Sequence, residues 1–126
     1  MSFSNTYENN IMTWVMTNSA VTRPTAWYVG LFTSNPAEDQ SGTEVSGNGY
    51  SRVSATFTVT GDTASNSADV EFSAATASWG TITHIAVHDA STGGNIIAYG
   101  ALTASKDIGA GDIFRVSAGD LDITLD

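Results

Sequence analysis

The two histidines of the chain, His84 and His88, lie in one short segment, residues 83–89 (THIAVHD), and their spacing could bind a metal ion. On a helix, histidines four positions apart place their ring nitrogens on one face, as in zinc hydrolases. On a strand, four residues extend over about 13 Å, too far for one ion to bridge. The secondary structure of this segment therefore decides whether a metal site is possible.

The segment around the histidines is typical of a strand. Residues 81–89 (TITHIAVHD) are rich in β-branched side chains, have no helix cap and lead into a turn that contains Gly93 and Gly94. This turn predicts a β-hairpin with residues 95–104 (NIIAYGALTA). On a strand, His84 and His88 share one face, which we expect to be half-buried, with the imidazoles exposed or hydrogen-bonded. The alternative is a contact between copies of the chain at a symmetry axis. We expect no metal site.

Other catalytic patterns have little support. There is no G-x-S-x-G motif, and Asp69 and Glu71 fall on one face of a predicted strand, as solvated carboxylates do. Residues 120–126 (DLDITLD) lack the glycine of a calcium loop, and residues 46–52 (SGNGYSR) lack the lysine and helix of a phosphate loop. We therefore predict no catalytic residue, no cofactor and no enzyme activity.

Composition limits the classes of protein that fit. The 126 residues, without cysteine, predict one domain over 1–126 that can bury a core without disulfides. Thirteen acidic and four basic side chains give a net charge of −9, which repels phosphate backbones, so we expect no direct nucleic-acid binding. No apolar run approaches the roughly 20 residues that cross a bilayer, and no basic leader is present, so we expect cytoplasmic synthesis without membrane insertion.

An apolar stripe predicts one helix over residues 1–17. Its side chains recur at steps of three and four, and Ser4 or Asn5 is suited to cap it. The helix is predicted to end in residues 18–25 (NSAVTRPT), because Pro24 cannot continue a helix. The stripe must be buried, either on the domain's own sheet or on a neighbouring subunit. It consists of Phe3, Tyr7, Ile11, Trp14 and Val15.

Residues 26–126 follow the period of two that strands require. Residues 26–33 (AWYVGLFT) are apolar on both faces and predict a central strand, and residues 34–49 form a long polar loop. Alternation over 50–59 places Arg52 outside. The expected inward residues are Val53, Ala55, Phe57, Val59, Ala68, Val70, Phe72, Leu121, Ile123 and Leu125, with Asp120, Asp122 and Asp126 outside.

Many short strands and a single helix predict a mainly β fold, an antiparallel β-sandwich or jelly roll with one N-terminal helix. Aromatic residues at strand positions are expected in the core, except Trp79, which precedes Gly80 and is a candidate for surface or subunit contact. Candidate interaction residues lie on the helix, in or beside the long loop, near Gly80 and at the histidines. They are Phe3, Tyr7, Ile11, Trp14, Glu44, Tyr50, Trp79, His84 and His88.

Four short motifs occur together in this chain. They are GYSR (49–52), WGTITH (79–84), GGN (93–95) and IGAGD (108–112). With the segments around them, they resemble a family of small tailed-bacteriophage virion proteins, which are described as tail fibre, decoration or cement proteins. The resemblance covers most of the chain from Trp27 onward and implies a structural role in the virion.

The resemblance leaves the position in the virion open, and charge favours one choice. A chain of net charge −9 fits the outer surface of a capsid better than a position beside packaged DNA. We expect a decoration or cement protein that binds the major capsid protein, as a homo-oligomer and by analogy a trimer. The alternative is a tail or tail-fibre component with a host-recognition role.

Overall fold

A computed structural model describes residues 1–125, so the predicted outward position of Asp126 lies outside the described residues. In this range the chain forms helix α1, Asn5–Met16, and ten strands. The strands are β1 Ser2–Phe3, β2 Trp27–Phe32, β3 Val53–Ala55, β4 Phe57–Thr60, β5 Thr63–Asn66, β6 Val70–Glu71, β7 Gly80–His88, β8 Ile96–Ile108, β9 Arg115–Val116 and β10 Asp122–Thr124.

The strands form three antiparallel sheets. The largest has the order β1-β8-β7-β2-β3, the second has the order β10-β5-β4, and the third pairs β6 with β9. This arrangement confirms a mainly β fold with antiparallel sheets and one helix, and it is consistent with a β-sandwich. The predicted hairpin is also present, since β7 pairs with β8 and the turn uses Gly93 and Gly94 at φ 62° and 65°.

The helix is shorter than predicted at its beginning. Phe3 belongs to β1, where it pairs with Ala98 of β8, so it does not share the helical stripe. Ser4 is fully buried, and its Oγ donates to the Ile96 carbonyl at 2.5 Å and accepts from the Tyr7 amide at 3.4 Å. A serine in this position caps the first turn, which fixes where the extended backbone changes to helix.

The core lies mainly between the largest sheet and the two smaller ones. Val29 and Leu31 of β2 and Val87 of β7 pack there against side chains of the smaller sheets, among them Val70 and Ile123. The opposite face of the largest sheet buries a second cluster of Phe32, Ala86 and Ile96. Both faces of β2 are therefore covered, as its continuous apolar sequence predicts.

Three expected inward positions are wrong. The predicted strand 50–59 divides at Thr56, because β3 joins the largest sheet whereas β4 joins the second sheet as its edge. Val59 lies on β4 and is 71% exposed. Ala68 is exposed in the bend between β5 and β6, and Leu125, which follows β10, is 51% exposed. Alternation gives the face of a side chain, but it does not show whether another layer covers that face.

The long loop 34–49 returns to the sheet. The Thr33 amide donates to the Thr43 carbonyl and the Val45 amide donates to the Leu31 carbonyl, each at 3.0 Å. The last part of the loop thus continues the edge beside β2 beyond the end of β3. This pairing brings Glu44 to Phe32 as an isolated bridge and places its carboxylate beside the end of β7.

Candidate interaction sites

The histidine segment is a strand, as predicted, and it does not bring the two rings together. Within β7, His84 pairs with Phe32 and His88 pairs with Tyr28 across β2. His84 is half-buried, with Nδ1 2.8 Å from the Thr83 hydroxyl. Among residues 1–125, no group of three or more acidic, histidine or cysteine side chains is arranged to hold a metal ion.

The expectation of a half-buried face is wrong at His88. Its side chain is only 2% exposed, and Nδ1 has no hydrogen-bond partner. The ring is hydrogen-bonded to the Tyr28 backbone. The ring stacks on Phe32 with centroids 5.7 Å apart and covers Gly30, where a Cβ would approach His88 Cε1 to 2.7 Å. Burial, and secondarily the charge of Arg52, lower the pKa of His88 to about 4. His88 is therefore neutral and internal, which is unsuited to a contact between copies.

Glu44, Tyr50 and Arg52 form a compact polar network beside His88. Arg52 binds Glu44 with two hydrogen bonds, Nε to Oε2 at 2.9 Å and Nη2 to Oε1 at 2.8 Å. The Tyr50 hydroxyl donates to Glu44 Oε2 at 2.5 Å and accepts from the Leu31 amide at 3.0 Å. Burial would raise the pKa of Glu44, but the hydrogen bonds from Arg52 and Tyr50 outweigh it and hold that pKa below its usual value.

The network joins two loops to the sheet. Arg52 Nη1 also donates to the carbonyls of Ala90 and Gly93, both at 2.8 Å, and so connects loop 34–49 with the β7–β8 turn. The expectation that Arg52 faces outward is wrong, because only 10% of its side chain is exposed. Its guanidinium group binds both the Glu44 carboxylate and two backbone carbonyls. The alternation of side chains along a strand does not predict such contacts. Glu44 and Tyr50 thus support the fold more than they offer a free surface.

Trp79 is a core residue, which corrects the expectation of a surface or subunit contact. It is 6% exposed, and its Nε1 donates to the Asn48 carbonyl at 2.9 Å. The ring meets Tyr50 edge-on with centroids 5.4 Å apart and Phe72 at 6.4 Å. The small residues around Trp79 in sequence leave room for its ring, and the segment that covers it comes from the distant loop.

Four exposed large apolar side chains lie instead at the end of α1. Tyr7, in the first turns, is buried and Ile11 is half-buried, whereas Trp14 is 66% exposed. Thus the predicted packing on the domain's own sheet holds for the beginning of the helix and fails for its end. The uncovered large side chains of this helix are Met12, Trp14, Val15 and Met16. We call these four residues the helix end.

The apolar arc of α1 is wider than its own sheet can cover. At about 100° per residue, the side chains from Trp14 through Ile11 and Val15 to Met16 span about 200°. A surface helix that packs on one core needs an arc of roughly 100°. Met12 and Met16 were not identified from the sequence as contact residues. The sequence does indicate them, because both are apolar and lie beside the predicted helical stripe.

A groove lies beside Trp14, on the side of the helix opposite Met12 and Met16. Its apolar part, of about 240 Å³, lies between Tyr7, Ile11 and Trp14 on the helix and residues 21–24. A polar part continues from it toward Asp89 and Asn95. There the Tyr7 hydroxyl donates to Asp89 Oδ2 at 2.8 Å.

The helix end itself carries no charge. Residues 9–22 contain no charged side chain, although the chain as a whole has a net charge of −9. Charged groups of other segments lie beside it, since Glu8 and Glu38 line the surface next to Met12 and Arg23 lines the groove next to Trp14. No helix in the described range 1–125 is long and apolar enough to cross a membrane.

Comparison with known proteins gives one family. The family described as "Podophage GP4 fiber I protein gp80" matches residues 2–124, which is nearly the whole chain. No curated protein matches the chain.

Proposed function

Because the chain belongs to the podophage GP4 fiber I protein gp80 family, a family of phage virion structural proteins, we propose that it is a subunit of a virion fibre, attached through its helix end. The exposed helix end carries this proposal. Four large apolar side chains, each at least 60% exposed, lie on one short helix, whereas the other exposed large apolar residues lie apart in sequence, at Trp27, Val59, Ile113 and Leu125. Such clusters mark protein interfaces.

The rest of the domain suits a passive structural part. The hydrogen bonds of Arg52 hold two loops on the sheet, and the hydrogen bond of Ser4 holds the start of α1 on β8. The helix end is therefore attached to a well-connected domain. A rigid support favours binding because little conformational entropy is lost when a partner attaches.

We assign the protein a role without catalysis. The carboxylates that could have formed an acid–base pair are engaged or solvated. Asp69 pairs with Arg115 and accepts from the Ala118 amide at 2.8 Å, and these contacts lower its pKa. Glu71 is exposed beside them.

A capsid decoration or cement role is the second candidate, and the charge of the chain supports it. A net charge of −9 suits the outer capsid surface, away from packaged DNA. A trimer on the major capsid protein would stabilise the shell by binding the assembled form but not free subunits. The uncharged helix end would then contact the capsid.

Cryo-electron microscopy of purified virions tests the position. We expect density for this chain in a fibre, and density at repeated sites of the capsid lattice would overturn the fibre assignment in favour of the cement role. Absence of the chain from virions would overturn both. Binding of the purified protein to host surface glycans would add a host-recognition role to the fibre.

A matched pair of variants tests the attachment surface in the phage itself. M16K places a charge on the helix end, and V59K places the same charge on an equally exposed residue of β4. We expect M16K to reduce the amount of protein per virion by tenfold or more while V59K leaves it unchanged. Equal incorporation of the two variants would overturn attachment through the helix end.

A further inference from the structure

We propose that the helix end binds another virion protein through a segment of that protein in which lysine or arginine lies beside apolar side chains. This inference rests on the proposed function, since it names the chemistry of the partner at the same attachment surface. Its basis is one side of α1 on which exposed apolar side chains and carboxylates lie together.

One side of α1 combines three residues of the helix end with an acidic residue. At about 100° per residue, Glu8, Met12 and Met16 follow one another at intervals of one turn, and Val15 lies beside them. Met12 and Met16 are 60% and 69% exposed, and Glu8 is exposed as well. A partner that covers this side therefore meets a carboxylate at one end and apolar side chains along the rest.

A second groove, of about 320 Å³, lies at the acidic end of this side. Two carboxylates and several apolar side chains line it together. They are Glu8 and Glu38, with Met1, Phe3, Ile11, Met12 and Leu125. Lysine and arginine lay their alkyl stems on apolar surface while the charged head reaches a polar group. A groove with this mixed lining therefore fits a basic side chain that comes from an apolar neighbourhood.

The two carboxylates of this groove lie close together without a cation. The side-chain amide of Asn5 is 3.2 Å from Glu8 Oε1 and 3.2 Å from Glu38 Oε2. Within residues 1–125 neither carboxylate forms an ion pair, and this includes the amino group of Met1 in the same groove. A neutral amide leaves the repulsion between the two negative charges in place, whereas a cation from a partner would offset it.

A second copy of the chain suits this surface less well than a basic foreign protein. Each copy has a net charge of −9, so two copies repel each other. Two of the four basic side chains are engaged in ion pairs, and a third, Lys106, is followed by the acidic Asp107. The fourth, Arg23, lies in the groove beside Trp14 on the opposite side of the helix. A basic segment of another protein is attracted by the charge of the whole molecule, and the groove then fixes its position.

The first test neutralises or reverses the two carboxylates in the phage. E8Q/E38Q removes the attraction for a cation at nearly unchanged side-chain size, and E8K/E38K replaces it with repulsion. We expect the amount of this protein per virion to fall at least about threefold for E8Q/E38Q and at least about tenfold for E8K/E38K, because like charges that face each other oppose binding.

Matched controls change the net charge equally at exposed carboxylates elsewhere. They are E71Q/D120N and E71K/D120K, and both should leave the amount per virion unchanged. A lysine near a helix N-terminus opposes the helix dipole, so circular dichroism and thermal unfolding verify the fold of E8K/E38K. E8Q/E38Q introduces no positive charge and keeps the test valid if the lysine variant is unstable.

The second test is the salt dependence of attachment in purified virions. Raising the ionic strength from about 0.1 to 1 M shortens the screening length from about 10 to 3 Å, which weakens contacts between opposite charges. We expect the fraction of the natural chain that is released from virions to rise with salt. Release of the remaining E8Q/E38Q should depend on salt clearly less, because only its apolar contacts hold it.

Three results would overturn the inference. One is an equal amount per virion for E8Q/E38Q and E71Q/D120N, and another is release of the natural chain that does not change with salt. The third is an oligomer of the purified chain, measured by sedimentation velocity, that E8Q/E38Q dissociates, because the occupant would then be a second copy. Each result leaves the fibre assignment intact, because that assignment depends on the position of the chain in virions and on the incorporation of M16K.

Discussion

At the scale of single residues, Arg52 joins three parts of the molecule. It makes four hydrogen bonds, two to the Glu44 carboxylate and one each to the carbonyls of Ala90 and Gly93. Only 10% of the Arg52 side chain and 23% of the Glu44 side chain are exposed. At this burial, loss of one partner leaves a poorly solvated charge on the other, which costs more than the pair itself contributes.

We predict that R52A lowers the free energy of unfolding by about 3 kcal/mol, because Glu44 and two carbonyls lose their donor. Urea unfolding followed by circular dichroism measures this change. The matched control is R115A, which removes the exposed ion pair with Asp69. The control should change stability little, since exposed pairs are screened by water. Equal losses for the two variants would contradict a structural role for the Arg52 network.

His88 predicts a pH dependence of stability. Its pKa is about 4 in the folded chain and near 6.5 when unfolded, so between these values only the unfolded chain takes up a proton. Stability is therefore highest above pH 6.5 and falls as the pH decreases toward 4. We expect a loss of about 2 kcal/mol between pH 7.5 and pH 5.

Urea unfolding at both pH values measures the His88 effect, with H88Q as the variant that cannot titrate. The variant is expected to be less stable at pH 7.5 but to lose clearly less on acidification. A natural chain whose unfolding midpoint is the same at pH 7.5 and pH 5 would show that His88 takes up a proton in the folded state.

At the scale of elements, the sequence predicted well which segments form strands. It predicted poorly which sheet each strand joins. β-branched runs identified β7, and the Gly93–Gly94 turn identified the hairpin, because both signals are local. Val59 was misplaced because the division of one extended segment between two sheets depends on distant pairing. Only long-range contacts decide which sheet a strand joins.

The candidate interaction residues show the same limit, because local patterns predict them and contacts with distant segments are not visible in the sequence. Trp14 was identified as a contact residue from helical spacing, and it is exposed as a contact residue should be. Trp79 was assigned to a contact because its segment consists of small residues, and His88 because it shares a strand face with His84. In the structure, loop 34–49 covers Trp79 and the ring of Phe32 covers His88. The sequence contains no local signal for a covering loop.

Substitution of Gly30 tests how closely loop 34–49 and its neighbours pack on β2. A Cβ at this position would lie 2.7 Å from His88 Cε1, 2.8 Å from Glu44 Oε2 and 3.0 Å from the Tyr50 hydroxyl. We predict that G30A costs about 2 kcal/mol, since overpacking displaces these groups. Thermal or urea unfolding provides the measurement. The control is G109A, whose Cβ would meet Asp112 at an ordinary 3.6 Å, and a G30A variant as stable as G109A would contradict this close packing.

At the scale of the whole molecule, charge is unevenly distributed along the chain. Acidic groups occur over most of the sequence and give a net charge of −9, whereas residues 9–22, which include the exposed helix end, carry no charge. A molecule of this charge repels other acidic surfaces, and its apolar helix end gains the most from being covered. On the proposed function, either a fibre or a capsid subunit would therefore attach by its helix and present its β surface outward.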